Sequence, residues 1–201
     1  MPAPAAAALY VHVPFCRAKC RYCDFYSLAA EPSLARRYVR ALRREWALHR
    51  ERLARPLTSA FVGGGTPSAI PIELLDDLLA LAGELCDSRS EFTVEINPGT
   101  VDAGLADLFV RRGVNRVSIG AQSFDPGELR LLGQIHDAGQ IASTVRLLRD
   151  RGIENLGLDL IYGIPAQDAA SWRRTLGQAL DLGLNHLSCY ALSFEPGTPL
   201  E

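Results

Sequence analysis

Three cysteines near the N-terminus, Cys16, Cys20 and Cys23, lie close together, three residues separating the first pair and two the second. Grouped thiolates select soft centres such as zinc or an iron-sulfur cluster. A structural zinc site closes a tetrahedron with four ligands. A 4Fe-4S cluster held by only three cysteines keeps one iron open for something else. The trio is therefore read as the ligand set of such a cluster, with a zinc or redox-sensing loop as the alternative.

Other residues able to do chemistry recur at the ends of apolar runs. Gly63, Gly64 and Gly65 follow Ser59 to Val62. They make either a tight turn or a place where backbone approaches a bound molecule closely, and they lack the Lys-Ser/Thr of a P-loop. Glu95 closes the run Phe92 to Ile96, and Gln122 follows Arg116 to Ile119. Asp159 lies inside Leu156 to Ile161, where an acid is costly unless it is partnered. His12, His49, His136 and His186 show no metal-ligand spacing among themselves. Cys86 and Cys189 read as small buried hydrophobes.

The elements that must position these residues alternate six times. Strands are predicted at Leu9 to Val13, Ser59 to Val62, Phe92 to Ile96, Arg116 to Ile119, Leu156 to Ile161 and His186 to Leu192. Helices are predicted at Leu34 to Leu53, Pro71 to Leu85, Ala103 to Arg112, within a stretch that includes Gln140 to Arg151, and at Ala169 to Leu182. Strand-helix alternation implies βαβ units, a parallel sheet and right-handed crossovers. The expected fold is α/β, a partial (β/α)6 barrel, with a flatter doubly wound sheet as the alternative. In either, the strand C-terminal ends share one edge, where ligands bind. The sixth strand has no helix after it, so the expectation is one domain, residues 1–201, belonging to a longer protein whose C-terminal part is missing.

Composition narrows the partners. The 201 residues are 48% hydrophobic with a formal net charge of -2, enough apolar material for a core and no basic excess to attract nucleic acid. A small molecule is the expected partner. No run approaches the roughly 18 apolar residues of a transmembrane helix, and the opening residues lack the positive region of a secretory signal. An odd cysteine count with three crowded together fits a reducing compartment, so a cytoplasmic location is expected.

With its Cys16-Arg-Ala-Lys-Cys20-Arg-Tyr-Cys23 segment, the chain resembles the radical S-adenosylmethionine (SAM) superfamily. What the resemblance implies is a 4Fe-4S cluster whose open iron chelates SAM, with an electron from the cluster cleaving the sulfonium. It further implies SAM contacts at Tyr10, Tyr22, Gly64, Gly65, Thr66, Glu95, Gln122 and Asp159. Flanking segments are similar to the branch that holds oxygen-independent coproporphyrinogen III oxidase and the haem chaperone HemW. They include Tyr10-Val-His-Val-Pro-Phe-Cys16, Gly63-Gly-Gly-Thr-Pro67, Glu95-Ile-Asn-Pro-Gly-Thr100, Asp159-Leu-Ile-Tyr-Gly-Ile-Pro165 and Leu187 to Pro199.

Two positions separate the members of that branch. Where the oxidase has a further cysteine two residues after the third ligand, this chain has Phe25, and the oxidase also carries a longer N-terminal extension. The resemblance thus implies the haem-chaperone side, with haem as a further ligand, haem-accepting proteins as partners, and a C-terminal HemW-type domain outside these residues. The alternative is an enzyme acting on a porphyrinogen. Gln134 stands where both groups usually place an arginine, which in the oxidase is associated with a second SAM. Glutamine does not replace a permanent cation.

Overall fold

The computed structural model describes residues 8–53 and 55–201; residues 1–7, which hold most of the segment read above for a secretory signal, lie outside them. In chain order the elements are β1 (Ala8–Val13), the two-residue strands β2 (Phe15–Cys16) and β3 (Leu28–Ala29), α1 (Pro32–His49), β4 (Ser59–Gly64), α2 (Ile72–Gly83), β5 (Glu91–Ile96) and α3 (Ala103–Arg111). There follow β6 (Arg116–Gln122), α4 (Pro126–Leu132), α5 (Ala138–Arg149), β7 (Asn155–Tyr162), α6 (Ala169–Asp181) and β8 (His186–Ala191).

Six strands form one parallel sheet in the order β1-β4-β5-β6-β7-β8. This order is strictly sequential. A doubly wound sheet reverses direction at a switch point, and no reversal occurs. Crossovers of one hand then stack their helices on one face: α1 packs on α2, α2 on α3, and α3 on α5. The result is the open, partial barrel expected from the strand-helix alternation.

Period-2 alternation decides what each strand offers. Val62, Val94, Val117, Ile119, Leu158 and Leu160 are buried in one apolar cluster with Leu75, Leu79, Phe109 and Leu148 of the helices. The residues between them on the strands, Glu95, Ser118 and Asp159, face a cavity instead. Acidic side chains start the helices. Glu31, Asp102, Asp125, Asp137 and Asp168 each accept backbone N–H bonds at the N-terminus of α1, α3, α4, α5 and α6, satisfying orphan donors there. The arginines of α1 reach α2 through exposed pairs, Arg36 with Glu73 at 3.1 Å and Arg43 with Asp77 at 3.2 Å. Such pairs contribute little.

The structure corrects three details. β4 and β6 run on to Gly64 and Gln122, so Gly63 and Gly64 are strand residues and not a turn. The β2–β3 pairing, two residues on each side, is too short to leave a periodic signal. Cys189 is exposed and not buried, because β8 is the edge strand and most of its residues remain open to solvent. Cys86 is half-buried and packs against the core. Among the described residues no helix is long and apolar enough to cross a membrane.

Candidate functional site

The cysteine loop begins where β1 ends. β2 carries Cys16 and pairs in parallel with β3, so the strands pinch off a loop that holds Cys20 and Cys23. Leu28 N–H donates to Pro14 O (2.7 Å) and Ala30 N–H to Cys16 O (3.0 Å), closing the neck. A turn from Cys23 N–H to Cys20 O (3.3 Å) brings those two ligand positions together. The loop's far side is tied down by Arg21 N–H donating to Leu132 O (2.9 Å) and Leu200 N–H donating to Arg21 O (3.1 Å). Arg17, Lys19 and Arg21 are exposed.

All three thiols face one cavity of about 450 Å³ at the C-terminal edge of the sheet. The same cavity is lined by Tyr22, Gly64, Gly65, Thr66, Glu95, Gln122 and Asp159. Every residue expected at the site is therefore there except Tyr10. Tyr10 is 55% exposed and lies outside the cavity wall; its ring packs near Phe61 and its hydroxyl is hydrogen-bonded to His12 Nδ1 (3.0 Å). Sequence reading missed Asn97, Ser118 and Ile161 in the wall. Ser118 stands two and four residues before Gly120 and Gln122, so strand alternation alone would have found it.

Two backbone features open the pocket. Gly64 has φ +112, and a Cβ there would meet the His12 ring at 2.2 Å, so the chain passes where only glycine fits. At Gln122 the register between β6 and β7 shifts and φ is +64. A bulge with a non-glycine residue in the left-handed region is a strain kept where it aims a side chain, and here the side chain lines the cavity. His136, buried to 6% exposure, holds the bulge by donating Nε2–H to Ala121 O (3.0 Å), while its Nδ1 has no partner among the described residues. Burial keeps its pKa below the usual histidine value.

Acceptors crowd this wall. Gly64 N–H donates to Glu95 Oε2 (2.8 Å) and Ser118 Oγ donates to Asp159 Oδ2 (2.9 Å). Burial first, and the nearby charge of Asp159 as well, push the Glu95 carboxyl above its ordinary value despite the Gly64 bond and the Arg116 charge. A carboxylate in this state fits a ligand that brings hydroxyl or ammonium donors. An acid with a raised folded-state pKa gives most stability below its unfolded value and loses it as pH rises through the folded one. Glu95→Gln keeps an acceptor for Gly64 but removes the charge. In cofactor-free protein its thermal midpoint should exceed the native one by a few degrees at pH 7 to 8, the difference closing toward pH 4.5; scanning calorimetry across that range checks it.

Two of the cysteine sulfurs accept side-chain hydrogen bonds. Thr66 Oγ1 donates to Cys16 (3.7 Å) and is itself bonded by Asn97 Nδ2 (3.3 Å). Gln134 Nε2 donates to Cys20 (3.3 Å). Burial pushes the Cys20 and Cys23 thiols up, and raises the Tyr22 phenol well above its usual range, beside them. Metal loading must then displace protons from the thiols. Among the described residues no three His, Cys, Asp or Glu side chains group so as to hold a single metal ion. Three thiols lining one cavity can each bind a different iron of a cluster, and they fall one ligand short of a closed zinc tetrahedron.

A sequential parallel half-barrel with a thiol trio, glycine-lined backbone and carboxylates on its C-terminal edge defines an α/β protein built to hold a metal cluster beside a small polar ligand. Residues 10–179 match the family described as the Radical SAM superfamily, and the chain belongs to that superfamily. Membership implies a 4Fe-4S cluster and SAM. The chain is 39% identical over 200 residues to the haem chaperone HemW of Synechocystis sp., covering 95% of this chain and 48% of that protein. It is 37% identical over 201 residues to the oxygen-independent coproporphyrinogen III oxidase of Bradyrhizobium diazoefficiens, covering 98% and 45%. Among solved structures, coproporphyrinogen III oxidase (HemN) from Escherichia coli superposes with a TM-score of 0.84 at 29% identity, over 94% of this chain and 44% of that one. The chain spans about half the length of the curated relatives it matches.

Proposed function

We propose that residues 1–201 are the radical SAM core of a HemW-type haem chaperone, a protein that binds haem and passes it to haem-accepting proteins. In this reading Cys16, Cys20 and Cys23 hold three irons of a 4Fe-4S cluster and leave the fourth for SAM. Gly64, Gly65 and Thr66 offer backbone and hydroxyl contacts, while Glu95, Gln122, Asp159 and Tyr22 surround the polar end of SAM. Tyr10, bonded to His12 beside Gly64, acts on that contact from outside the pocket. When bound, the cluster and SAM supply one-electron chemistry at the sulfonium.

Identity to the chaperone and to the oxidase is nearly equal, so the choice rests on single positions. Phe25 carries it. It lines the cavity and is 65% exposed, at the place where the resemblance implies a further cysteine in the oxidase. A phenyl ring there can neither ligate iron nor take part in thiol chemistry; it offers an apolar face to a flat ligand.

The competing reading is oxidative decarboxylation of coproporphyrinogen III, supported by the oxidase relative. Anaerobically reconstituted full-length protein, given SAM, a reductant and coproporphyrinogen III, should yield no protoporphyrinogen IX. The same protein should bind haem saturably, read from its Soret band, and transfer it to an apo-haem protein. Turnover of the porphyrinogen, or failure to bind haem, would overturn the chaperone reading.

A further inference from the structure

We infer that Gln134 is a positioning residue for the metal centre, its side-chain amide setting the reduction potential of a cluster held by Cys20. The inference rests on the cluster reading above. Gln134 lies 114 residues from Cys20 in sequence, yet its Nε2 comes within 3.3 Å of Cys20 Sγ, and it lines the same cavity.

The approach is built from several parts. Helix α4 stops at Gly133, which takes a left-handed conformation with φ +75, so the chain turns sharply toward the cysteine loop. Gly133 packs against Arg21, where a Cβ would meet Arg21 Cγ at 3.0 Å. The neighbouring Leu132 carbonyl accepts the Arg21 N–H (2.9 Å), and Gln134 N–H donates back to Leu129 O (2.9 Å). Two residues later His136 is locked to Ala121 O. Gln134 is thus pinned on both sides, and the backbone of the residue after Cys20 is pinned to the same segment.

The electrostatic consequence has a definite sign. An N–H dipole aimed at a thiolate sulfur stabilises the state with more negative charge on the cluster, which is the reduced state. Gln134 therefore raises the potential at which an electron enters. Thr66 does the same for Cys16 across a longer contact of 3.7 Å. The Gln134 amide also acts on the Tyr22 hydroxyl beside Cys20, so the potential is read without SAM.

The test is an EPR-monitored redox titration of anaerobically reconstituted protein, native and variant, with iron and sulfide measured on each sample. Gln134→Met, similar in length but without a donor, should keep the iron content and shift the midpoint to more negative potential. Gln134→Glu, nearly isosteric but negatively charged, should shift it further the same way. Gln134→Arg restores N–H donors and should titrate no lower than the native protein. Equal midpoints in native and Met proteins would overturn the inference. Loss of the cluster from Gln134→Met with its circular dichroism unchanged would do so too, since that makes the residue an assembly determinant. A native protein that takes up no iron and sulfide removes the cluster reading itself, an outcome read before any variant is titrated.

Discussion

Replacing Cys16, Cys20 or Cys23 by Ala removes most of the iron and sulfide that the native protein takes up on reconstitution, whereas Cys86→Ala and Cys189→Ala leave it at the native level. The difference follows from position. The first three sulfurs face one cavity, where Cys16 and Cys20 also accept side-chain hydrogen bonds. Cys86 closes the end of α2 with its thiol directed to Ala82 O (3.5 Å), and Cys189 is exposed on the edge strand; neither lines the cavity. A cluster reduced to two protein thiolates loses much of its binding free energy, and metal affinity is coupled to how well the loop is folded. Iron and sulfide analysis, with the iron-sulfur absorption band, reads the result. Comparable loss in the Cys86 or Cys189 variant would sink the ligand assignment.

The second large effect is at Gly65. A Cβ there would meet Phe15 O at 2.7 Å, Phe15 N at 2.8 Å and Val13 O at 2.8 Å, all of them backbone atoms with no side chain that can swing aside. The same backbone is stitched by Gly65 N–H to Val13 O (2.9 Å) and Thr66 N–H to Phe15 O (2.7 Å). Gly65→Ala must push β1 and β2 away from β4, and β2 carries Cys16. Forcing an extra carbon into a packed site costs about 1 to 3 kcal/mol, or a midpoint lower by roughly 2 to 4 °C for each of these in a protein of this size. Cluster content and SAM binding should fall further than stability alone explains, because the displaced strand holds a ligand. Gly177→Ala is the control: it lies inside α6 with nothing within 4 Å of its Cβ, and should be neutral or stabilising. Calorimetry with equilibrium SAM binding separates the two variants, and a Gly65→Ala protein that matches native on both would contradict the close-approach argument.

The sequence by itself determined what is local or periodic. Cys16, Cys20 and Cys23 lie within one short loop, so their spacing alone states the chemistry. Alternating apolar and helical patterns located all six long strands to within a few residues, because burial repeats every second residue on a strand and about every third or fourth on a helix. It also placed Glu95 and Gln122 at strand ends, hence on one edge of any parallel sheet, and Asp159 inside the fifth strand.

Only the tertiary structure decided which distant groups meet. Strand order settled the barrel against the doubly wound sheet, since both share the same local pattern. The bond from Gln134 to Cys20 joins residues 114 apart, and that from Ser118 to Asp159 joins two strands. Tyr10 left the cavity wall and Cys189 came to the surface for the same kind of reason: which way a side chain points, and whether another element covers it, depends on neighbours that arrive from elsewhere in the chain. The physical division is between propensities that each segment carries alone and contacts whose energy exists only after the sheet has curled and brought its edge residues around one cavity.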